Sequence, residues 1–338
     1  MDGPRIIVMG CGGAGNNTLN RMARLGVAGA ELIAVNTDRQ HLTLIHDSVK
    51  KLLIGQSVTR GLGAGGFPEV GAKAAEVSRA TLSQALEGAD MVFITAGMGG
   101  GTGTGISPII SDIAKEQGAI VIGMVTYPFR LERARLLKAD EGIQKLRKVA
   151  DTVIIIDNNR LVELVPNLPI EQAFSVADEV ISRAVKGITE TITTPSLINL
   201  DYADVRAIMT QGGVSVISVG EARGHQRVSE VVEDTLKNSL LDVDYTGAKG
   251  ALIHITGGPD LTLGEANEIG ERLTEAIDPS ATVIWGARIV PESEGRIEVI
   301  AIMTGVQSSH IKGPMTGAMN ANANTKDLDS ALGISYLK

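Results

Sequence analysis

Residues 90–105 read DMVFITAGMGGGTGTG, an apolar run that ends in a dense cluster of glycines. The apolar run predicts a buried strand, and the segment after the glycines, ISPIISDIAKEQ, predicts a helix. Glycines let backbone N–H groups approach an anion with no Cβ in the way, and a helix N-terminus adds partial positive charge. Thr102 and Thr104 supply hydroxyl donors. The segment therefore predicts a phosphate-binding loop, whose glycines are Gly97, Gly99, Gly100, Gly101, Gly103 and Gly105.

Two further glycine clusters occur in the same half of the chain. Residues 5–17, RIIVMGCGGAGNN, contain G-x-G-x-x-G at Gly10, Gly12 and Gly15, a pattern typical of dinucleotide-binding proteins. Residues 61–71, GLGAGGFPEVG, form the other cluster. A dinucleotide enzyme needs one phosphate-binding loop, so several loops favour a polyphosphate ligand over NAD. The chain has no G-x-x-x-x-G-K-[ST] motif, which excludes a P-loop protein.

Apolar runs alternate with helical patterns through the first half of the chain. This alternation predicts a parallel sheet with helices on both faces, and such sheets bind ligands at the carboxyl ends of their strands. The glycine clusters in 5–17 and 90–105 follow predicted strands directly, so we expect them at that edge. The predicted strands are 5–9, 31–35, 91–95, 119–125 and 152–156.

A long helix and a second, smaller unit follow. Apolar residues recur every three or four positions over 170–194, which predicts one amphipathic helix. The later patterns indicate a smaller α/β domain with a mixed sheet and its own core. Its predicted strands are 214–219, 251–256, 282–290 and 296–305, and its predicted helices are 228–241 and 262–277. The predicted units are a ligand-binding domain over 1–169, a connecting helix over 170–198, a second domain over 199–306 and a flexible tail over 307–338.

Composition excludes several classes of function. The 338 residues are 43% hydrophobic with a formal charge of −8, which gives no basic face for nucleic acid. A single cysteine, Cys11, excludes an internal disulfide and a multi-cysteine metal site, and the histidines show no ligand spacing. No apolar run approaches the roughly 20 residues of a membrane span, and residues 1–4 are too short and polar for a signal peptide. We expect a cytoplasmic protein without direct membrane insertion or a nucleic-acid partner.

The glycine motifs and their flanks resemble the tubulin/FtsZ family of GTPases, and within it the FtsZ branch. The segment TYPFRLERARLLKADEG resembles the archaeal version of that branch. The resemblance implies an α/β fold with a parallel-sheet GTPase domain, a long central helix and a second, smaller α/β domain with a mixed sheet. The matching segments, in order between about residue 5 and residue 306, are GCGGAGNN, VNTD, GAGGFPEVG, GGGTGTG, DNNRL, FSVADEV and NLDYADVRAIM.

The resemblance also implies GTP or GDP as the ligand, with Mg²⁺ on its phosphates. Phe174 would stack on guanine, and Asp178 would accept hydrogen bonds from the base, although spacing alone fits a core Phe174 and a surface Asp178 better. Glu132 would contact the ribose; Leu136 replaces the family's arginine four residues later, which leaves Arg135 as the candidate. The full set of implied contacts is Gly12, Gly13, Ala14, Gly15, Asn16, Asn17, Asn36, Asp38, Ala64, Gly65, Gly66, Gly97, Gly99, Gly100, Gly101, Thr102, Gly103, Thr104, Glu132, Arg135, Asn158, Phe174 and Asp178.

No carboxylate in residues 1–160 is an evident activator of water for phosphate transfer. In INLDYADVRAIM, Asp201 and Asp204 lie three residues apart and share one face if a helix starts there; Asn199 precedes them. A carboxylate pair can orient and polarise an attacking water. The alternative is that these acids cap the helix.

The acid pair lies beyond the far end of the predicted long helix from the glycine loops. A helix of roughly 25 residues spans about 37 Å, so one chain does not easily bring these acids to its own phosphate site. The resemblance implies that the acid loop of one subunit completes the nucleotide site of the next, in a head-to-tail homopolymer. It also implies that the polymer forms the cell-division ring. The sequence shows no amphipathic membrane helix with a basic face, so we expect the tail to bind membrane-anchor or division proteins; the alternative is that the tail is a frayed end. A cytoskeletal role outside division stays open, and an NAD-dependent oxidoreductase is the weaker alternative.

Overall fold

The computed structural model describes residues 3–164, 167, 169–193, 202–210, 214–237 and 245–306. Those residues contain ten strands that form one sheet. In chain order the strands are β1 (Ile6–Cys11), β2 (Ala30–Asn36), β3 (Lys50–Leu53), β4 (Met91–Gly97), β5 (Ile120–Tyr127), β6 (Thr152–Asp157), β7 (Val214–Arg223), β8 (Gly250–Gly257), β9 (Thr282–Ile289) and β10 (Arg296–Thr304). Their order across the sheet is β3-β2-β1-β4-β5-β6-β7-β10-β8-β9.

The same described ranges contain twelve α-helices and one short 3₁₀ turn at Pro291–Ser293. The helices are α1 (Gly12–Leu25), α2 (Arg39–Thr43), α3 (Gln56–Thr59), α4 (Pro68–Glu76), α5 (Arg79–Leu86), α6 (Thr102–Glu116), α7 (Arg133–Val149), α8 (Asn158–Leu164), α9 (Ile170–Thr193), α10 (Tyr202–Met209), α11 (Arg227–Lys237) and α12 (Leu263–Thr274).

The first half of the sheet is parallel, as the alternation of apolar runs and helical patterns predicted. β1 pairs in parallel with both β2 and β4, and the parallel pairing continues through β5 to β6. All residues of β1 are buried, because helices cover both faces of the sheet. Ile7 and Met9 belong to one core cluster, and Ile6 and Val8 belong to the cluster on the opposite face.

One strand of this half escaped the sequence prediction. β3 reads KKLL, and its two lysines are exposed. Its pairing with β2 through Ile33, Ala34, Val35 and Asn36 defines it as a strand. The strand lies at the edge of the sheet, where charged side chains are common and no apolar run marks the position.

The long helix α9 confirms the amphipathic pattern over 170–194. Its residues Ala177, Ile181, Ala184 and Ile188 are buried at intervals of three and four. They share a core cluster with residues of β4 and β6 and also with residues of β8 and β10. The helix therefore packs against both halves of the molecule.

The second half has a core of its own, as predicted, in which α11 and α12 cover β8 and β10. β7 and β8 pair antiparallel with β10, whereas β8 and β9 pair in parallel, so this part of the sheet is mixed. β6 and β7 join the two halves through Val153 with Val214 and Ile154 with Ser215. This junction was not predicted, because its two residue pairs leave no pattern in the sequence.

Several sequence predictions fall outside the described residues. They are the acids' neighbours Asn199 and Asp201, the end of the predicted helix at 238–241, and the tail over 307–338. The domain boundaries at 169, 198 and 306 stay predictions.

Candidate functional site

A cavity of about 1220 Å³ opens at the carboxyl ends of β1, β4, β5 and β6. This is the edge of a parallel sheet at which ligands bind. Most of the predicted contact residues line it, and they come from five separate parts of the chain. They are Gly13, Ala14, Asn17, Gly97, Gly100, Gly101, Thr102, Gly103, Glu132, Arg135, Asn158, Phe174 and Asp178.

Two helix N-termini face this cavity without side-chain caps. α1 starts directly after β1, its N-cap residue Cys11 makes no capping hydrogen bond, and its first turn has no acidic residue. α6 starts after Gly101 in the same way. Uncapped N–H groups at a helix start attract anions through their hydrogen-bonding capacity and the helix dipole. The two helices thus present an anion-binding edge.

The first and second glycine loops touch through their backbones. Gly12 has φ +71°, and a Cβ there would lie 2.7 Å from the backbone nitrogen of Gly103. An L-residue at this position would be strained by its φ and would also collide with the second loop. Glycine at position 12 is therefore required for the two loops to share one cavity.

The third glycine loop packs against the second. A Cβ on Gly101 would lie 2.8 Å from the nitrogen of Phe67 and 2.9 Å from Cβ of Ala64. On its other side, Lys138 Nζ donates to the Gly66 carbonyl at 2.7 Å and lies 5.3 Å from the Phe67 ring centroid. Gly65 is exposed beside them. The loop borders the cavity without lining it.

Other predicted contacts support the loops from behind. Asn16 is fully buried; in the amide orientation that satisfies its neighbours, it donates to the carbonyls of Gly10 and Gly12 and accepts from Asn36. Asn36 also accepts from the N–H groups of Thr37 and Asp38. These bonds fix the β1–α1 turn against the end of β2.

The remaining predicted residues are also adjacent to the cavity lining. A Cβ on Gly15 would meet the Thr95 carbonyl at 2.2 Å, and one on Gly99 would meet the Arg135 carbonyl at 2.6 Å. Asp38 caps α2 by accepting from the His41 N–H at 3.2 Å. These residues hold the elements of the site close together.

Buried oxygen atoms without a protein partner lie at the site. Within the described residues, Asn158 Oδ1 in the cavity lining accepts no hydrogen bond, although Asn158 is 7% exposed. Thr104 Oγ1, in the first turn of α6 but outside the lining, takes part in none either, and Thr104 is 3% exposed. Most buried polar atoms in proteins have a partner. The Asn158 oxygen beside the cavity fits a polar ligand that completes its bonding.

Glu132 and Arg135 form the charged rim. Arg135 Nη1 lies 2.6 Å from Glu132 Oε2, and Glu132 Oε1 accepts from the Phe129 N–H at 3.1 Å. The Arg135 side chain is 61% exposed, so it can turn toward a ligand at little cost. Leu136 does not line the cavity.

The start of α9 contributes an aromatic ring and a carboxylate. Phe174 packs edge-on against Phe129, with ring centroids 5.5 Å apart, and is itself 42% exposed. Asp178 accepts from Thr18 Oγ1 at 2.6 Å. Burial raises the pKa of Asp178 to about 6, although the bond from Thr18 and the charge of Arg21 act in the opposite direction. Phe174 and Asp178 thus lie in the cavity, contrary to what spacing alone favoured.

Sequence reasoning missed several cavity residues. Thr18 and Arg21 follow Ala14 at intervals of four and three on α1, so helical spacing from the first glycine loop could have found them. Phe129 lies two residues after the end of β5, at the same strand edge as the glycine loops. His41 carried no signal, because only the fold brings α2 against Gly13.

Asp204 lies at the opposite edge of the sheet. Tyr202, in the same helix α10, donates from its hydroxyl to the Asp90 carbonyl at 2.7 Å. Asp90 precedes β4, whereas the second glycine loop follows it. A strand of this length separates its ends by about 20 Å. Asp204 therefore does not reach the cavity of its own chain.

The described ranges hold neither a metal-binding cluster nor a membrane-spanning helix. There, no group of three or more His, Cys, Asp or Glu side chains is placed to hold a metal ion. None of the described helices has the length and apolar character needed to cross a membrane.

Two family models match the chain. The model of the tubulin/FtsZ family GTPase domain matches residues 5–166, which include the three glycine loops. The model of the FtsZ family C-terminal domain matches residues 213–307. Together they cover both halves of the sheet.

Known relatives match over most of their length. The chain is 65% identical over 316 residues to "Cell division protein FtsZ 2" of Methanocaldococcus jannaschii, covering 92% of this chain and 83% of the relative. It is 58% identical to the protein of the same name from Halobacterium salinarum, with 97% and 84% covered. A solved structure described as an empty FtsZ dimer from M. jannaschii superposes with a TM-score of 0.86 at 44% identity, covering 94% of this chain and 95% of that one.

Proposed function

Since the chain belongs to the tubulin/FtsZ family of GTPases, we propose that it binds GTP in this cavity, assembles head to tail into protofilaments of the cell-division ring, and hydrolyses GTP where two subunits meet. Its activity is that of a GTPase, which converts GTP to GDP and phosphate. The first glycine motif is part of the GTPase domain, so the oxidoreductase alternative loses its basis.

One observation carries the choice of ligand: three glycine loops and two uncapped helix N-termini meet around one cavity. A triphosphate has more oxygens than one loop can satisfy. The N–H groups at the starts of α1 and α6 supply donors, and Thr102 and Thr104 add hydroxyl groups. The loop at Ala64, Gly65 and Gly66 lies beside them, where we propose the γ-phosphate.

The base is proposed to lie at the start of α9. Phe174 offers an exposed ring face for stacking, and Asp178 offers a carboxylate. Guanine has two neighbouring donors, N1–H and the exocyclic amine, whereas adenine has an acceptor at the first of these positions. An ionised carboxylate accepts both bonds and therefore selects guanine. Asn158 and Glu132 are proposed contacts to the base or ribose.

Mg²⁺ is proposed on the phosphates, where it would neutralise negative charge. The oxygen atoms at this edge are of the type that ligates a hard cation. The hydroxyl groups of Thr37 and Thr102 lie 2.8 Å apart, and Asp38 follows Thr37. The protein part of the site otherwise orients the nucleotide through backbone N–H groups.

Hydrolysis is proposed to use Asn199, Asp201 and Asp204 of the adjacent subunit. Asp204 lies at the sheet edge opposite the cavity, and α9 spans 24 residues between the two regions. Stacking subunits with these edges in contact brings the acids of one to the phosphates of the next, where they orient the attacking water. Repeating that heterologous contact without closure makes a filament.

Membership of the family supports a proposal for the kind of partner and for the location. We propose that the tail beyond residue 306 recruits a membrane-anchor or division protein, and that the filament lies at the division site.

The first test measures GTP hydrolysis per subunit against protein concentration with Mg²⁺. We expect almost no turnover below a threshold concentration and a plateau above it. Asp204→Ala should bind GTP and assemble, with turnover reduced by about 10²–10⁴-fold. A specific rate independent of concentration would contradict the shared site.

A mixing experiment sharpens this test. Asp204→Ala has an intact cavity, and Gly12→Ala has an intact acid loop, so neither alone should turn GTP over well. Mixed filaments pair the cavity of the first with the acids of the second and should regain part of the activity. If the mixture stays as inactive as its components, the acids do not act across the interface.

A further inference from the structure

We propose that Thr18 is a positioning residue for base selection: its hydroxyl holds the Asp178 carboxylate in the orientation and the ionised form that accept hydrogen bonds from guanine. The inference rests on the proposed function, because it takes Asp178 as the residue that meets the base. It adds a residue of α1 to a recognition step that the motifs place on α9.

The contact is short and enclosed. Thr18 Oγ1 lies 2.6 Å from Asp178 Oδ1, within the range of a hydrogen bond to an ionised acceptor. Thr18 is 2% exposed, and both residues line the cavity. A threonine is stiff at χ1, so its hydroxyl direction is set by the backbone of α1. The bond therefore fixes one oxygen of the carboxylate against a rigid helix.

The hydroxyl proton has a choice of acceptors. Thr18 Oγ1 also lies 3.2 Å from the Ala14 carbonyl, four residues earlier in α1. The carboxylate oxygen is closer and carries charge, so it is the stronger acceptor. Ala14 belongs to the first glycine loop, which places the base-recognition pair one helical turn from the phosphate loop.

The nearby arginine side chains form ion pairs with Glu179 and not with Asp178. Arg21 pairs with Glu179, and Arg183 pairs with the same glutamate at 2.6 Å. Ser182 donates to the main-chain carbonyl of Asp178. Within the described residues, the Thr18 hydroxyl is the hydrogen-bond donor that reaches the Asp178 carboxylate. The other titratable groups around the cavity are Arg24, His41, Glu132 and Arg135.

The protonation state of Asp178 matters because a protonated carboxyl presents a donor to a base edge that already has donors. Burial raises the pKa of Asp178 to about 6, and the bond from Thr18 lowers it. Removing the hydroxyl moves that pKa upward, so more of the carboxyl is neutral near pH 7. Guanine binding, which needs the ionised form, is then lost at a higher pH.

The test compares binding of GDP and IDP to the full chain at protein concentrations below assembly. Inosine lacks the exocyclic amine of guanine but keeps N1–H, so the ratio of the two affinities reports the second hydrogen bond. Titrations run from about pH 5 to about pH 8, which brackets the pKa of Asp178. The variants are Thr18→Val, which is isosteric without the hydroxyl, Thr18→Ala, and Thr18→Ser, which keeps it.

We expect Thr18→Val to weaken GDP binding on the order of tenfold and to reduce the preference for GDP over IDP. The pH at which GDP binding is lost on acidification should move to a higher value. Thr18→Ala should behave alike, and Thr18→Ser should restore the wild-type profile. A matched control is Thr235→Val, which removes a buried hydroxyl that donates to the Val231 carbonyl in α11 and should change none of these quantities.

Two results would overturn the inference. One is a Thr18→Val protein with wild-type pH midpoint and GDP/IDP ratio; the other is a Thr18→Ser protein that matches Thr18→Val. Asp178→Asn separates this inference from its premise. If that variant leaves the GDP/IDP ratio unchanged, Asp178 does not meet the base and the proposed binding mode itself fails.

Discussion

The cavity edge of the sheet and the second domain use their polar groups in opposite ways. At the cavity, α1 and α6 start without side-chain caps, and Asn158 in the lining has a buried oxygen with no protein partner. In the second domain, α12 starts with a complete capping box between Thr262 and Glu265. The start of α12 thus satisfies its own N–H groups, whereas the helix starts at the cavity leave theirs for a ligand.

The second domain also neutralises its most buried charge internally. Arg227, with a side chain 9% exposed, pairs with Asp260 and with Glu265 at 2.8 Å. Gly295 N–H donates to the same Asp260. This network ties α11, the β8–α12 loop and the turn before β10 together.

The largest expected effect breaks that network. Arg227→Ala removes four hydrogen bonds from a buried guanidinium to Asp260 and Glu265 and should lower the free energy of unfolding by about 3 kcal/mol. Nucleotide affinity should stay within about twofold in the folded fraction. Chemical denaturation and GDP titration measure the two quantities.

The control is Arg272→Ala, which removes an exposed pair with Glu268 at 3.4 Å. It should cost less than about 1 kcal/mol. Equal losses from both variants would show that the buried network does not distinguish the second domain.

The next effect disturbs the cavity edge. Gly12→Ala places a Cβ 2.7 Å from the Gly103 nitrogen on a backbone with φ +71°. We expect nucleotide affinity to fall on the order of a hundredfold, because the two phosphate loops move apart. Equilibrium binding of GDP measures this loss.

A glycine of the second domain provides the contrast. Gly270 lies inside α12, and a Cβ there has nothing within 4 Å. Gly270→Ala should leave nucleotide binding unchanged and raise the unfolding free energy by up to about 1 kcal/mol. A binding loss in this variant would contradict the separation of the two regions.

Two neighbouring asparagines give a smaller and sharper contrast. Asn158 Oδ1 has no protein partner, whereas Asn159 accepts from the Arg130 N–H at 2.9 Å and donates to Asp157 at 2.6 Å. Asn158→Ala should weaken nucleotide binding about tenfold at nearly unchanged stability. Asn159→Ala should instead cost about 1–3 kcal/mol of stability. Reversed outcomes would place the ligand on the other residue.

The smallest expected effect concerns how folding stability changes with pH, because the two regions contribute with opposite sign. The pKa of Asp178 is raised from 3.8 to about 6, so its contribution favours the unbound folded state at low pH and is lost as pH rises through about 6. The pKa values of Asp260 and Glu265 are lowered by their bonds to Arg227, so their contribution is present at neutral pH and is lost as pH falls below their ordinary range.

Urea denaturation of wild type, Asp178→Asn and Arg227→Ala across this range separates the two contributions. Asp178→Asn should flatten the stability profile between about pH 4 and about pH 6. Arg227→Ala should flatten it below about pH 4. If neither variant changes the dependence of unfolding free energy on pH, the two regions do not differ in this respect.

The sequence by itself determined the glycine loops, the long helix and all of the parallel half of the sheet except its edge strand β3. Continuous apolar runs predict strands buried on both faces, and glycine clusters after them predict anion-binding loops at one edge. These signals are local, since each depends on a few adjacent residues. The resemblance to the GTPase family was also local, because it rests on short motifs of adjacent residues.

Only the tertiary structure decided which residues meet. Thr18 reaches Asp178 across 160 positions, Asn16 reaches Asn36 behind the loops, and β6 joins β7 through two residue pairs. Contacts of this kind depend on how helices and strands pack, and neither periodicity nor motif spacing encodes the distance between them. The edge strand β3 needed its partner β2 for the same reason: its own side chains carry too little apolar surface to mark it.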